Sequence, residues 1–311
     1  MTTFTVVMPA RDTGATIGAA IRSVLAQTRG DFELVVVDDG SRDGTADVIR
    51  GFLSDNRVRL VSLDAPGGAA RARTAGIAAG SAPLVSMLDA DDLWMPGYLE
   101  AMGAAFERDP DAGLAYTDAW YLDERTRRIR RASAMAYQRP PDPPPATAEE
   151  LFDALVERMF IWPGTLRRAA IDAVGPPDPR LPSMIDWEWY LRLAAGGYRA
   201  IRVPGRLGVY RIRPESISRD PLRVAAGQRE LWRIVAEEYD LPEERRRELR
   251  ARAARFDAEV EALHGRRPLA LAAWRARRRL AAGKRRLRRE RDYFREPPPE
   301  LITAFGDLRA I

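Results

Sequence analysis

Phe32-Glu33-Leu34-Val35-Val36-Val37-Asp38-Asp39-Gly40-Ser41 is the stretch that decides the fold. Apart from Glu33, its first six residues are apolar and rich in β-branched valine. A strand covered on both faces reads this way, because it has no wet side to demand polar alternation. The run then stops at Asp38-Asp39-Gly40-Ser41. Taken alone, that acidic end has two readings. It is a turn and helix entry, since Asp, Gly and Ser favour turns and caps. Equally, it is a sheet-edge carboxylate able to accept a hydrogen bond from a nucleobase imide or a ribose hydroxyl.

Working outward, Phe4 to Met8 is a short β-rich run stopped by Pro9. Between it and the central strand, Ile17, Ile21, Val24 and Leu25 recur at helical spacing, predicting a helix over 15–28. Downstream, Asp43 or Thr45 is placed to cap a helix over 46–53. A strand is expected over 58–63, a helix over 69–79 and a strand over 83–88, the last ending in Asp89-Ala90-Asp91-Asp92. Strands alternating with helices predict an α/β fold, a Rossmann-like and mostly parallel sheet flanked by helices on both faces. In such sheets ligands bind beyond the carboxyl ends of the strands, where both acidic clusters fall.

Past residue 113 the pattern is mixed. Strand pieces are expected over 114–117 and 120–122, and a stiff extended loop over 139–145, where five prolines crowd together. Helices follow over 151–159 and 186–195, then a strand over 198–203 ahead of Pro204. From about Asp220 to Phe294 the chain favours helix almost throughout, and Pro297-Pro298-Pro299 ends that region.

Composition narrows the chemistry. The chain has 311 residues, 46% hydrophobic and 31% charged, as soluble globular proteins do. It has no cysteine, which removes disulfides, thiolate metal sites and thiol nucleophiles together. Its single histidine, His264, rules out zinc sites built on several imidazoles and Ser-His-Asp hydrolysis, leaving acid–base work to carboxylates. No apolar run approaches the roughly 20 residues of a membrane span, and the opening Met1-Thr2-Thr3-Phe4 has no secretory pattern, so a cytoplasmic location is expected.

The charge is unevenly spread. Residues 1–220 carry 27 Lys+Arg against 30 Asp+Glu, whereas residues 221–311 carry 23 against 15. The pI of 9.8 is therefore a property of the C-terminal region and gives no ground for a nucleic-acid partner.

Asp89-Ala90-Asp91 is the sharpest chemical feature. Two carboxylates one residue apart at a strand end suit a hard divalent cation with open positions for diphosphate oxygens. Acidic turns after strands are common without any metal, so the motif alone leaves both readings open. Arg73 is either a surface arginine on an amphipathic helix or a group that reaches phosphate or the Asp89 cluster. Pro9, Ala10 and Asp12 lie at the end of the first strand, where they can floor a nucleotide pocket. Trp94, Trp162, Trp187, Trp189 and Tyr190 form either an aromatic wall for sugar rings or part of the core.

In this order, the pieces resemble the family 2 glycosyltransferases of GT-A fold. The resemblance spans residues 4–218 and rests on six motifs: Val6 to Ala10, Val35 to Thr45, Ala72 to Ile77, Leu88 to Trp94, Asp186 to Leu193, and Val209 to Arg213. It implies a GT-A catalytic domain over 1–218 and a basic helical C-terminal extension over 219–311. The implied activity is an inverting, metal-dependent hexosyl-type transfer from a nucleoside-diphosphate sugar to an acceptor hydroxyl in glycan or glycoconjugate biosynthesis. The acceptor would be a glycan, a lipid-linked sugar or a small molecule.

Roles follow position by position. Asp39 would contact the nucleobase, and Pro9, Ala10 and Asp12 would line the nucleoside site. Asp89 and Asp91 would hold Mg²⁺ or Mn²⁺ and the diphosphate, with Asp91 the direct ligand. Asp186 would be the general base, and Arg211 and Arg213 would meet the leaving group beside Arg73. The sequence departs from the family pattern at Ile185, where a Glu usually precedes the catalytic Asp, and at Arg11-Asp12, Thr74 and Arg213. Ile185 leaves room for a non-catalytic, glycan-binding or membrane-assembly relative, although the intact Asp89-Ala90-Asp91 argues against it. A sugar-phosphate nucleotidyltransferase would carry a glycine-rich phosphate loop that this chain lacks.

Between Arg266 and Arg295 lie thirteen Lys and Arg residues interleaved with Leu269, Leu271, Trp274, Leu280 and Leu287. Two readings fit: a solvated helix packed on the catalytic domain or a second subunit, and a peripheral contact at the cytoplasmic face of a membrane.

Overall fold

The computed structural model describes residues 2–162, 164–213, 216, 219–264, 294–295 and 297–306. The basic stretch over 266–291, with its expected membrane or subunit contact, lies outside them.

The N-terminal half alternates as its sequence predicts. Strand β1 (Phe4–Ala10) leads to α1 (Ile17–Leu25), β2 (Phe32–Asp38), α2 (Thr45–Arg50), β3 (Val58–Ser62), α3 (Gly68–Ala79) and β4 (Leu84–Met87). These strands stand in the order β4-β1-β2-β3, all parallel. Register brings Ala10 beside Asp38, and Leu88 follows β4 to hydrogen-bond Val7. The carboxyl ends of β1, β2 and β4 therefore share one edge, and both acidic clusters project there.

Helix α3 is seated deep against β1 and β2. A β-carbon on Gly76 would lie 2.3 Å from Val7 Cγ1 and 3.1 Å from Val37 Cγ2. Only a glycine permits so close an approach.

The second half turns the sheet mixed. It comprises β5 (Leu93–Trp94), α4 (Tyr98–Arg108), β6 (Leu114–Asp123), β7 (Arg128–Arg130), α5 (Ala134–Gln138), α6 (Ala148–Glu157) and β8 (Gly164–Arg167). Then come α7 (Arg168–Val174), α8 (Ile185–Ala195) and β9 (Ala200–Ile212). β8 bridges β4 and β6 in antiparallel fashion, β6 pairs β9 in parallel, and β9 pairs β5 antiparallel. The strand expected to stop before Pro204 instead runs on to Ile212. A register shift allows this: Thr117 pairs with Val203 but Asp118 pairs with Arg206, so Pro204 and Gly205 bulge out of the ladder. The proline's missing N–H then costs no ladder bond.

Helices α9 (Pro221–Glu238) and α10 (Glu243–His264) follow, then β10 (Phe294–Arg295) and α11 (Pro299–Phe305). The proline cluster at 297–299 starts a helix, since Pro299 occupies the first helical turn, where its missing N–H is no loss; the helical stretch expected ahead of it lies, beyond His264, outside the described residues up to the short strand β10. α9 is no loose appendage. Its Leu231, Trp232, Ile234 and Val235 are buried in one core cluster with α6 and α8, and the Trp232 ring meets Trp187 edge-on at 5.3 Å. No helix among the described residues is long and apolar enough to cross a membrane.

Candidate active site

The shared strand edge opens into a cleft of about 670 Å³. Pro9, Ala10, Asp12 and Asp39 line it from the ends of β1 and β2, and Asp89 and Asp91 from the end of β4. Asp186 and Arg213 close it from the C-terminal half.

The end of the cleft at β1 and β2 is built from loops laced together by carboxylates. Asp12 sits in the left-handed region at φ 49°; its amide donates to Ser41 Oγ at 3.1 Å and its carboxylate accepts from the Arg42 amide at 2.8 Å. Asp43 accepts from the Gly14 amide at 2.9 Å and from Thr45, so it works as turn and cap chemistry. Asp39 is buried and takes the Gly67 and Gly68 amides on its two oxygens, at 2.7 and 2.8 Å. Both readings of the acidic strand end meet here, because this carboxylate faces the cleft and also fixes the loop entering α3.

Arg73 ties the chemical centre together. It projects from α3, is only 6% exposed, and donates to Asp186 Oδ1 at 2.5 Å and to Asp89 Oδ1 at 2.9 Å. Burial opposes its charge, but Asp186 and Asp89 outweigh that and hold it more firmly protonated than an ordinary arginine. Asp186 lies in the first turn of α8, its side chain 31% exposed toward the cleft. Burial raises its pKa above the usual carboxylate range; Arg73 pulls it down and Asp89 pushes it up again.

Asp89, Asp91 and Asp92 place carboxylate oxygens within 4.8 Å of one another. Burial first, then Asp89, push the Asp91 carboxyl up to about 6 against the pull of Arg213. Asp92 is pushed well above the ordinary carboxylate value by burial and by its two neighbours, and it accepts from the Arg211 amide at 2.8 Å. A hard, crowded oxygen donor set of this kind fits a divalent cation, which would relieve the repulsion that raises both groups. Asp89 and Asp91 face the cleft with room to ligate, while Asp92, 1% exposed, braces the turn from below.

The two arginines of the last motif part company. Arg213 lines the cleft, 3.6 Å from Asp91 Oδ2 and 3.3 Å from Glu124. Arg211 is buried outside the cleft lining, where burial lowers its pKa and Asp92, Glu124 and Asp91 partly restore it. Arg211 belongs to β9 and stands opposite Leu122 in the ladder, whereas Arg213 lies just past the end of that strand at Ile212.

The aromatic residues divide as well. Trp94 stacks on Tyr98 at 4.0 Å in the core, and Trp187, Trp189 and Tyr190 are buried, with both indole N–H groups spent on backbone carbonyls. Trp162 alone of the five lines the cleft, edge-on to Tyr210 at 5.3 Å. Sequence reasoning missed Tyr210, Met184, Arg223 and Val224 as cleft residues. Tyr210 alternates with Val209 and Arg211, but nothing in the sequence signals that Arg211 is the buried one; Arg223 is one arginine among many on a helix.

Comparison with known proteins adds to this geometry. Residues 5–173 match the sequence model of the family described as Glycosyl transferase family 2. An uncharacterized glycosyltransferase of Nostoc sp., alr2836, is 32% identical over 170 residues, covering 52% of this chain and 50% of that one. The UDP-Glc:alpha-D-GlcNAc-diphosphoundecaprenol beta-1,3-glucosyltransferase WfgD of Escherichia coli is 39% identical over 95 residues, 30% of this chain and 37% of its own. The chain thus spans half or less of the length of these two curated relatives. Among solved structures, the mannosyltransferase PcManGT of Pyrobaculum calidifontis, in complex with GDP-Man and Mn²⁺, superimposes with a TM-score of 0.59 at 20% identity. That match covers 89% of this chain and 80% of the other, so the two share the GT-A fold.

Proposed function

The chain belongs to glycosyl transferase family 2, and from that membership we propose that it transfers a sugar from a nucleoside diphosphate to an acceptor hydroxyl, with inversion and with Mg²⁺ or Mn²⁺. The observation that carries this reading is the Asp186–Arg73–Asp89 bridge in a single cleft. It joins the group that would accept a proton to the group that would manage the leaving diphosphate.

In the reaction, Asp186 takes the proton of the acceptor hydroxyl as that oxygen bonds to the anomeric carbon and the bond to the diphosphate breaks. Its raised pKa makes it a better proton acceptor than an exposed aspartate, and Arg73 fixes its direction. Asp89 and Asp91 would hold the dication, which when bound neutralises charge developing on the departing diphosphate. Arg213, beside Asp91, supplies further positive charge there. Arg211 supports it indirectly by pinning Asp92.

Asp39 keeps a second lone pair on each oxygen after binding the Gly67 and Gly68 amides, enough to accept from a nucleobase or ribose while the loop stays fixed. Pro9, Ala10 and Asp12 complete the nucleoside floor. Ile185 in place of the usual Glu leaves Asp186 as the one carboxylate of that pair.

The test is thermal stabilisation by nucleoside diphosphates with and without Mn²⁺, followed by sugar transfer with the conjugates of the preferred base. Metal-dependent stabilisation that is lost in Asp91→Ala supports the reading. Absence of any nucleotide effect on the folded protein, or full transfer by Asp91→Ala, overturns it.

A further inference from the structure

Arg223 comes from α9 in the helical extension, yet it lines the same cleft as Asp186. Its Nε donates to the Pro182 carbonyl at 2.7 Å, and its own carbonyl accepts from Ser183 Oγ at 2.9 Å. Gly227, one turn on, approaches so closely that a β-carbon there would lie 2.0 Å from Ser183 Oγ and 3.0 Å from the Ser183 carbonyl oxygen. α9 is therefore clamped to the segment that leads into Asp186. The clamp leaves Nη1 and Nη2 of Arg223 without a hydrogen bond or ion pair among the described residues. Arg223 is exposed to solvent, whereas two more enclosed arginines of the cleft are committed, Arg73 to Asp186 and Asp89, and Arg213 to Asp91 and Glu124.

Two aromatic rings, Trp162 and Tyr210, line this cleft from the same C-terminal half. The nucleoside residues approach from β1 and β2 instead. A face offering aromatic rings and a two-pronged cation beside the base suits a sugar bearing an oxyanion: rings stack on the apolar faces of pyranoses, and a guanidinium grips phosphate or carboxylate through paired N–H groups.

Resting on the transferase reading above, we infer that the acceptor is an anionic saccharide, whose phosphate or carboxylate is held by Arg223 while its sugar ring meets Trp162 and Tyr210. The helical extension is then part of the acceptor site and selects for charge. Arg223 is a specificity residue, outside the donor machinery.

The experiment measures binding by calorimetry to the full chain saturated with the preferred nucleoside diphosphate and Mn²⁺, which keeps anions off the donor site. Probes are hexose 1-phosphates, hexuronates and neutral methyl hexosides, with citronellyl-diphosphate hexoses as lipid-linked probes. At least one anionic class should bind tenfold or more tightly than the methyl hexosides. Arg223→Ala should erase that preference without changing the nucleotide-dependent thermal shift, Arg223→Lys should keep part of it, and Trp162→Ala should weaken all probes alike. The anion class preferred separates phosphate from carboxylate, and a further gain with the citronellyl probes identifies a lipid-linked source. Equal binding of charged and neutral probes, no binding of any anionic probe, or a preference that survives Arg223→Ala overturns the assignment. A protein that shows no nucleotide shift fails the donor reading first, so the two failures are distinguishable.

Discussion

Arg73 and Asp186, 113 positions apart in the chain, meet at 2.5 Å, and the second prong of the same guanidinium reaches Asp89 at 2.9 Å. In the proposed reaction, one side chain would thus both aim the base and balance a metal ligand. Removing it disturbs both functions at once. Arg73→Ala should lower transfer by roughly 10²–10³-fold, because base orientation and charge balance fail together. The stability cost should be smaller, about 1–2 kcal/mol in urea, because both carboxylates reach solvent and can be rehydrated. Arg73→Lys, keeping one charge without the fork, should recover part of the stability and little of the rate.

Asp186→Asn preserves shape and removes the proton acceptor. Transfer should fall by about 10²–10⁴-fold while nucleotide binding with Mn²⁺ stays within a factor of a few. Steady-state kinetics beside nucleotide calorimetry checks this, and a large loss of nucleotide affinity would place Asp186 at the donor instead.

Metal affinity should depend on pH with a defined sign. The Asp91 carboxyl is raised from 3.8 to about 6 in the folded chain. Without metal, the stability this group contributes is fully present below its unfolded value and is lost as pH rises through about 6. A dication binds the ionised form, so stabilisation by Mn²⁺ should be small near pH 5 and large near pH 7.5, by rough linkage reasoning. Melting curves across that range with and without Mn²⁺ measure it, and Asp91→Asn should flatten the dependence.

Glu188 is buried on α8, paired with Arg192 at 2.8 Å and accepting from the Tyr239 hydroxyl at 3.0 Å. Tyr239→Phe should cost about 1–2 kcal/mol by urea denaturation, the value of one hydrogen bond to a charged group. Glu188→Ala should cost more, about 3 kcal/mol, since it removes the counter-charge of Arg192 and leaves that guanidinium only the Val174 and Pro176 carbonyls.

Gly227→Ala forces a methyl against Ser183, both side chain and backbone. A loss of about 1–3 kcal/mol is expected. Activity toward acceptors should fall more than nucleotide binding does, because Ser183 lies in the segment that leads into Asp186.

The sequence made some of this visible and hid the rest for identifiable reasons. β1, β2 and β4 were legible because each is an apolar run closed by Pro or Asp, and their shared edge followed from the alternation of strand and helix. Asp89, Asp91 and Asp186 were legible as motif residues. The partnership of Arg73 with Asp186 was not, since no local pattern announces a contact over so long a separation. The two-residue strand β5 was too short to signal itself, and β9 crossed a proline that reads locally as a stop. Core packing of Trp187 and Trp189 was one of two readings, and the choice was hidden because only the docking of α6 and α9 decides which face of α8 is covered.

Gly76 lies one turn along α3 from Arg73, where the absence of a methyl group lets the helix settle onto Val7 and Val37. An alanine at that point would act as a shim, tilting the whole rod outward and drawing the guanidinium off both of its carboxylates. The alignment of Asp186 and Asp89 is therefore calibrated by a residue that touches neither. A catalogue of cleft-lining side chains would overlook it, and a search for inactivating changes in this protein would find it among the most sensitive positions.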